Sequence, residues 1–219
     1  MKIVKKSISN HACSMPETWI RRCILLSIIP AVLGQSNEVI SPPYEPLIER
    51  GLQMDLWARE PLLINPVALS FDEQGRLYVV ETARRGTVDI DIRAHKGWVK
   101  DDLGSVSIPH QIELFRKWMA PDKSRENRSW LQDRNEDGSH DWRDLTMVKE
   151  RVHLIEDTDG DGVADQRRVF AEGFNKENNG AAAGVMPFAD HVYYTVYPDI
   201  WRLEDTDGDG VSDRNTSMF

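Results

Sequence analysis

The chain has 219 residues, 40% hydrophobic and 29% charged, with seven Trp. That suffices for one packed domain and excludes global disorder. The net charge is −9, with much of the acid gathered in three short Asp-rich runs. The pattern argues against a nucleic-acid partner, which needs a basic face, and points to a cation.

Both cysteines, Cys13 and Cys23, lie near the start. Arg21-Arg22 precede an apolar run from Cys23 to Leu33, then small Gly34 and polar Gln35-Ser36-Asn37. Basic flank, short apolar stretch and small residue read as a secretory signal over residues 1–34, cut after Gly34. Export to the periplasm or cell surface follows as an expectation, with partners there. The run falls short of the roughly 20 apolar residues a spanning helix needs; a membrane-associated or buried helix is the alternative. The stretch before Arg21 is long for a leader, and Met15 fits as a start. The mature chain then has no cysteine, hence neither a disulfide nor a C-x-x-C-H haem site. Residues 35–50, with Ser41-Pro42-Pro43-Tyr44-Glu45-Pro46, read as an extended linker before a folded domain over 51–219.

The clearest strand pair follows. Asn65–Phe71 leads through Asp72-Glu73-Gln74-Gly75 into Arg76–Glu81, β-branched and aromatic residues around a Gly-containing turn, as in a β-hairpin. From Thr82 to Trp130 the pattern weakens. Ile108, Ile112, Phe115 and Met119 fall at helical spacing behind Ser107 and Pro109, so the spacing predicts one short helix with a core-facing stripe.

The second half is organised by repetition. Glu156-Asp157-Thr158-Asp159-Gly160-Asp161-Gly162-Val163-Ala164-Asp165 recurs 48 positions on as Glu204-Asp205-Thr206-Asp207-Gly208-Asp209-Gly210-Val211-Ser212-Asp213. A degenerate copy, Asp133 to Asp141, lies 24 positions before the first. Strand-like runs flank them: Val152–Ile155, Arg168–Ala171, His191–Val196 and Ile200–Leu203. Four short strands per repeat of roughly 40–50 residues is the period of a propeller blade. The expected fold is mainly β, an incomplete β-propeller of about one to two blades, with one short helix and Ca-type hairpin loops.

The Asp-rich runs carry the chemistry. They put side-chain oxygens at positions 1, 3, 5 and 9 of a tight loop, with Gly at position 6 for the turn, an oxygen-only set suited to Ca²⁺. The candidate ligands are Asp133, Asn135, Asp137, Asp141 and Asp144; Asp157, Asp159, Asp161 and Asp165; and Asp205, Asp207, Asp209 and Asp213. Asp144 closes the first loop at position 12, where the others have Arg168 and Thr216. Asp-Gly is also a good hairpin turn by itself. Carboxylates about 5 Å apart, however, repel by a little under ~1 kcal/mol per pair even in water, and a bare turn does not need four of them. The metal's expected role is structural, pinning hairpins. Asp89, Asp91, Arg93 and His95 form a separate polar cluster, either a channel lining with His95 as a base or a solvated strand face or loop with internal ion pairs. No nucleophile elbow, phosphate loop or dinucleotide fingerprint is present, and the catalytic residues, redox cofactor and substrate stay unassigned.

Several stretches together resemble a known family: Ser70 to Thr82, His140-Asp141-Trp142-Arg143-Asp144-Leu145, the two Glu-Asp-Thr-Asp-Gly-Asp-Gly repeats, and Pro198-Asp199-Ile200-Trp201-Arg202-Leu203. From about Pro46 to Asp213 the chain is similar to the membrane-bound dehydrogenase, or haem-binding, β-propeller proteins abundant in planctomycetes. The resemblance implies a propeller akin to soluble quinoprotein sugar dehydrogenases, followed in many members by helical repeats and a C-x-x-C-H cytochrome module. It makes this chain an N-terminal fragment of such a plan, with haem c confined to the missing C-terminal part. A non-catalytic, Ca²⁺-dependent adhesion or interaction propeller is the alternative.

Overall fold

The structure, a computed structural model, describes residues 3–7 and 52–218. The leader's Arg21–Gly34 and the linker at 35–50 lie outside the described residues. The chain divides into two units, and β1 (Ile3–Ser7) forms a two-stranded sheet with β2 (Gln53–Ala58). The larger unit, from Leu56 on, is built on two four-stranded antiparallel sheets.

The first sheet is β3 (Pro66–Phe71), β4 (Leu77–Glu81), β5 (Glu150–Glu156) and β6 (Gln166–Gly173), in sequence order. The second is β7 (Ala182–Phe188), β8 (His191–Val196), β9 (Asp199–Glu204) and β10 (Arg214–Ser217), also meandering in order. The sheets do not close into a barrel. The hairpin expected over 65–81 is β3–β4, with Phe71 opposite Leu77. Gly75 supplies the positive φ of its turn (+82°).

Leu77, Tyr78, Val79 and Val80 are all buried because β4 is covered on both faces. Tyr78 and Val80, with Val152, Leu154 and Phe170, pack between the sheets against Val192, Tyr194, Val196 and Leu203. Leu77, Val79 and Ile155 point the other way, onto Trp57, Ala58 and Leu63. Each such fully buried side chain is worth about 1.5–3 kcal/mol of transfer free energy. The second sheet leaves Met186 and Phe188 exposed.

A long insertion, residues 82–149, separates β4 from β5. The single helix expected there becomes three, α1 (Val99–Leu103), α2 (Ile108–Trp118) and α3 (Ser124–Asn127), with a 3-10 turn, Pro121–Lys123, between the last two. α2 starts where expected: the Ser107 side chain accepts from the His110 N–H, and Pro sits in the first turn. The others were hidden because they are one turn long, below the length at which periodicity registers. They are held by a cluster of Val88, Trp98, Met119, Leu131 and Leu145.

Chain direction sorts the loops by end. The insertion, the sheet-to-sheet connection 174–181 and the β8–β9 turn at Tyr197-Pro198 share one end of the sheets. The β5–β6 and β9–β10 hairpins, which contain the two matching Asp-rich repeats, lie at the opposite end.

Candidate metal centre

The three Asp-rich loops share one conformation, set by side-chain oxygens, all carboxylate except the Asn135 amide, that accept from backbone N–H groups. The N–H of the position-6 glycine donates to the position-1 aspartate in each: Gly138 to Asp133, Gly162 to Asp157 and Gly210 to Asp205, all at 2.9 Å. The position-5 N–H donates to position 3, at 3.2 Å in all three. The position-7 N–H donates to the position-5 carboxylate, at 2.8 Å in all three. Gly138, Gly162 and Gly210 have φ of +84°, +92° and +83°, which explains their type.

The loops then divide. Asp157, Asp159 and Asp161 each bring an oxygen within 4.8 Å of the other two, and Asp205, Asp207 and Asp209 do the same. Asp165 and Asp213 stand outside these groups. Their carboxylates accept instead from the N–H and hydroxyl of Thr158 and Thr206. The hydrogen bonds from Thr206, aided by the charge of Arg214, hold the Asp213 carboxyl below its ordinary range. Position 9 therefore closes the loop onto position 2 by hydrogen bonds, while positions 1, 3 and 5 of the two matching loops carry the converging oxygens.

In the loop at 133 the closing acids are used internally. Asp144, fully buried, accepts from the N–H groups of Arg134, Asn135 and Asp141. Asp141, also buried, accepts from Arg143 N–H, and the two make a capping box on the 3-10 turn Trp142–Met147. Arg143 also places its guanidinium 2.9 Å from Asp141 and 3.8 Å from Asp137. Asp133 Oδ1 is shielded from solvent and has no hydrogen-bond partner among the described residues.

Each matching loop is also pinned to an outer strand. The Ala164 N–H donates to the Trp57 carbonyl in β2, and its counterpart Ser212 donates to the Phe170 carbonyl in β6, both at 2.7 Å. Arg168 from β6 reaches the loop at 205, donating to the Asp209 carbonyl. The 48-position repeat is thus structural as well as sequential.

The polar cluster at 89–95 is a loop with an internal ion pair. Asp91 grips Arg93 at 2.6 Å, and that hydrogen bond pulls the Asp91 carboxyl down to about 2. His95 stacks on Trp98 at 4.2 Å and meets Trp130 at 4.4 Å. Burial there pushes its pKa below the usual histidine value, against the pull of Asp91.

Arg84 gave no signal in the sequence that sets it apart from Arg85, yet it is fully buried at the insertion end. Its guanidinium donates to the carbonyls of Leu145, Val148, Lys176 and Asn179 through five hydrogen bonds of 2.7–3.2 Å, the full capacity of the group. Buried Glu150 accepts from Thr82 Oγ1 and from the Ala83 and Arg84 N–H groups. These bonds hold the insertion to the connection 174–181.

Neither a curated protein nor a solved structure matches the chain. A family model described as a domain of unknown function, DUF7133, matches residues 47–219. That span includes both sheets, the insertion and all three Asp-rich loops, and the chain belongs to this family.

Proposed function

We propose that the chain is a Ca²⁺-stabilised propeller-type module of an exported protein, its two sheets acting as neighbouring blades. The observation that carries this reading is the convergence of three carboxylates within 4.8 Å in both the loop at 157 and the loop at 205. Each pair repels by about 1 kcal/mol in water and by more near protein. Backbone N–H groups offset part of this, and a bound hard cation with oxygen ligands offsets the rest. Neither loop has a closing carboxylate at position 12, so binding is expected in the weak class of about 10⁻⁴–10⁻³ M that suits extracellular modules. The leader at residues 1–34 supports the same compartment.

The blade reading is supported by the repeat and by the way each loop clamps an outer strand. The ion's role here is structural: it fixes a hairpin against its neighbour. The oxidoreductase role on sugar-like substrates rests on the family resemblance alone. A Ca²⁺-dependent interaction module needs nothing beyond the loops.

The test is thermal unfolding of the full chain with millimolar Ca²⁺ or with chelator. A higher melting temperature in Ca²⁺, abolished by Asp159→Asn together with Asp207→Asn, is the expected result. Superimposable melting curves would overturn the metal reading.

A further inference from the structure

The first sheet buries both of its faces. Tyr78, Val80, Val152, Leu154 and Phe170 meet the second sheet, and Leu77, Val79 and Ile155 meet Trp57, Ala58 and Leu63. The second sheet buries one face, through Val192, Tyr194, Val196 and Leu203. Strand register sets what its other face holds. Met186 pairs with Tyr193, Tyr193 with Arg202, and Thr195 with Ile200, so these side chains share it. Met186 is 54% exposed there, Phe188 66% and Ile200 38%. Scattered exposed apolar residues are ordinary on a surface; these lie together on one sheet face.

The 48-position repeat says what kind of face this is. It carries Val152 onto Ile200 and Phe170 onto Met218. Val152 and Phe170 are buried between the sheets, whereas Ile200 and Met218 are exposed. The backbone repeats the same step. The loop at 157 bonds the Trp57 carbonyl and the loop at 205 bonds that of Phe170, each fastening onto the outer strand before it. Met218 stands where the next such contact would fall. The exposed face is therefore the counterpart of a packing face.

Two observations narrow the occupant to a second copy. Trp57, Ala58 and Leu63 already cover the first sheet's outer face, so a second chain cannot continue the stack head to tail. What remains is this face against itself, about a two-fold axis. Its charges allow that: buried Glu204 takes both Arg202 and Arg214, each at 3.3 Å, on a chain whose net charge is −9. The face thus brings no bare carboxylate against its own copy. We infer that two copies of the chain pair isologously through this face, Met186, Phe188, Tyr193 and Ile200 against the same residues. Four strands about 4.8 Å apart and about six residues long present roughly 400 Å² per copy. That is about half of the roughly 800 Å² per partner in a standard interface, so the dimer is weak.

The experiment is sedimentation equilibrium of the full chain from about 10 µM to about 500 µM. The apparent mass should rise from 25.1 kDa towards twice that value, with a dimer Kd on the order of 100 µM. Met186→Glu sets the added carboxylates of both copies in one interface and should weaken the dimer at least about tenfold. Phe188→Glu, at a more exposed side chain, gives a second handle should the first variant fold poorly, with weakening again expected. Val106→Glu, on the insertion at a side chain 90% exposed, should leave the dimer unchanged. A monomer mass throughout, a mass that climbs past the dimer, association that neither face variant weakens, or an equal loss in Val106→Glu would each overturn the inference.

Discussion

The two ends of the sheets solve opposite electrostatic problems. At the insertion end, backbone carbonyls of Leu145, Val148, Lys176 and Asn179 converge, and the chain supplies its own cation, the guanidinium of Arg84. At the hairpin end, carboxylates converge, three in each matching loop, with backbone N–H groups as their immediate donors. The loop at 133 lies between these cases, with Arg143 beside Asp137 and Asp141. A convergence of oxygens does not by itself imply a metal; what matters is whether a side-chain cation already pairs with the converging groups, and within the loop at 205 Arg168 bonds only the Asp209 carbonyl.

This contrast can be broken from either side. The largest effect is expected from Arg84→Met, which removes five hydrogen bonds to four carbonyls and the guanidinium charge that interacts with Glu150. A loss of about 3–5 kcal/mol in denaturant unfolding is expected, equal with and without Ca²⁺. At the other end, Ca²⁺ at about 100 times its Kd should add about 2.7 kcal/mol per independent site. That gain should disappear in chelator, which a pair of unfolding curves reads directly.

The two matching loops can be set against each other with alanine. Gly162→Ala forces a side chain into the left-handed region and should cost about 1 kcal/mol, since an added Cβ meets nothing within 4 Å. Gly210→Ala carries the same penalty and also places the Cβ 2.7 Å from Arg168 Cδ. It should cost about 2 kcal/mol, and equal melting temperatures for the two variants would show that the Arg168 contact does not matter.

The smallest effect concerns Glu81, which lies 2.6 Å from Arg167 and 3.1 Å from His153. Burial raises its pKa, but hydrogen bonds from His153 and the Ile64 N–H, with the charges of His153 and Arg167, outweigh burial and leave the carboxyl below its usual value. A depressed folded-state pKa contributes stability above the unfolded value, near 4.3, that is lost as pH falls through the folded one. Glu81→Gln should therefore cost about 1 kcal/mol at pH 7 and progressively less below about pH 4, as followed by unfolding at several pH values.

The sequence showed most where chemistry is local. The β3–β4 hairpin was legible because alternating large residues flank a turn that needs Gly75. β8 and β9 were legible for a similar reason, being β-branched and aromatic. β7 was not, because Gly184 and Pro187 interrupt it, and it is a strand because its partner β8 holds it in register. The loop motif also named Asp165 and Asp213 as ligands equal to the others, whereas the fold turns them onto Thr158 and Thr206. In the loop at 133, the sequence offered Asp144 as a fifth oxygen, and the fold buries it as a cap.

By itself, then, the sequence determined the repeated loops, their glycines and their oxygens, because five-residue Asx turns are built from neighbours along the chain. Tertiary structure alone decided the burial of Arg84 and the internal use of Asp144. The first depends on groups tens of residues apart, brought together by the packing of two sheets and an insertion, and the second on N–H groups up to ten positions away. No local pattern encodes the solvent exclusion that gives these charges their roles.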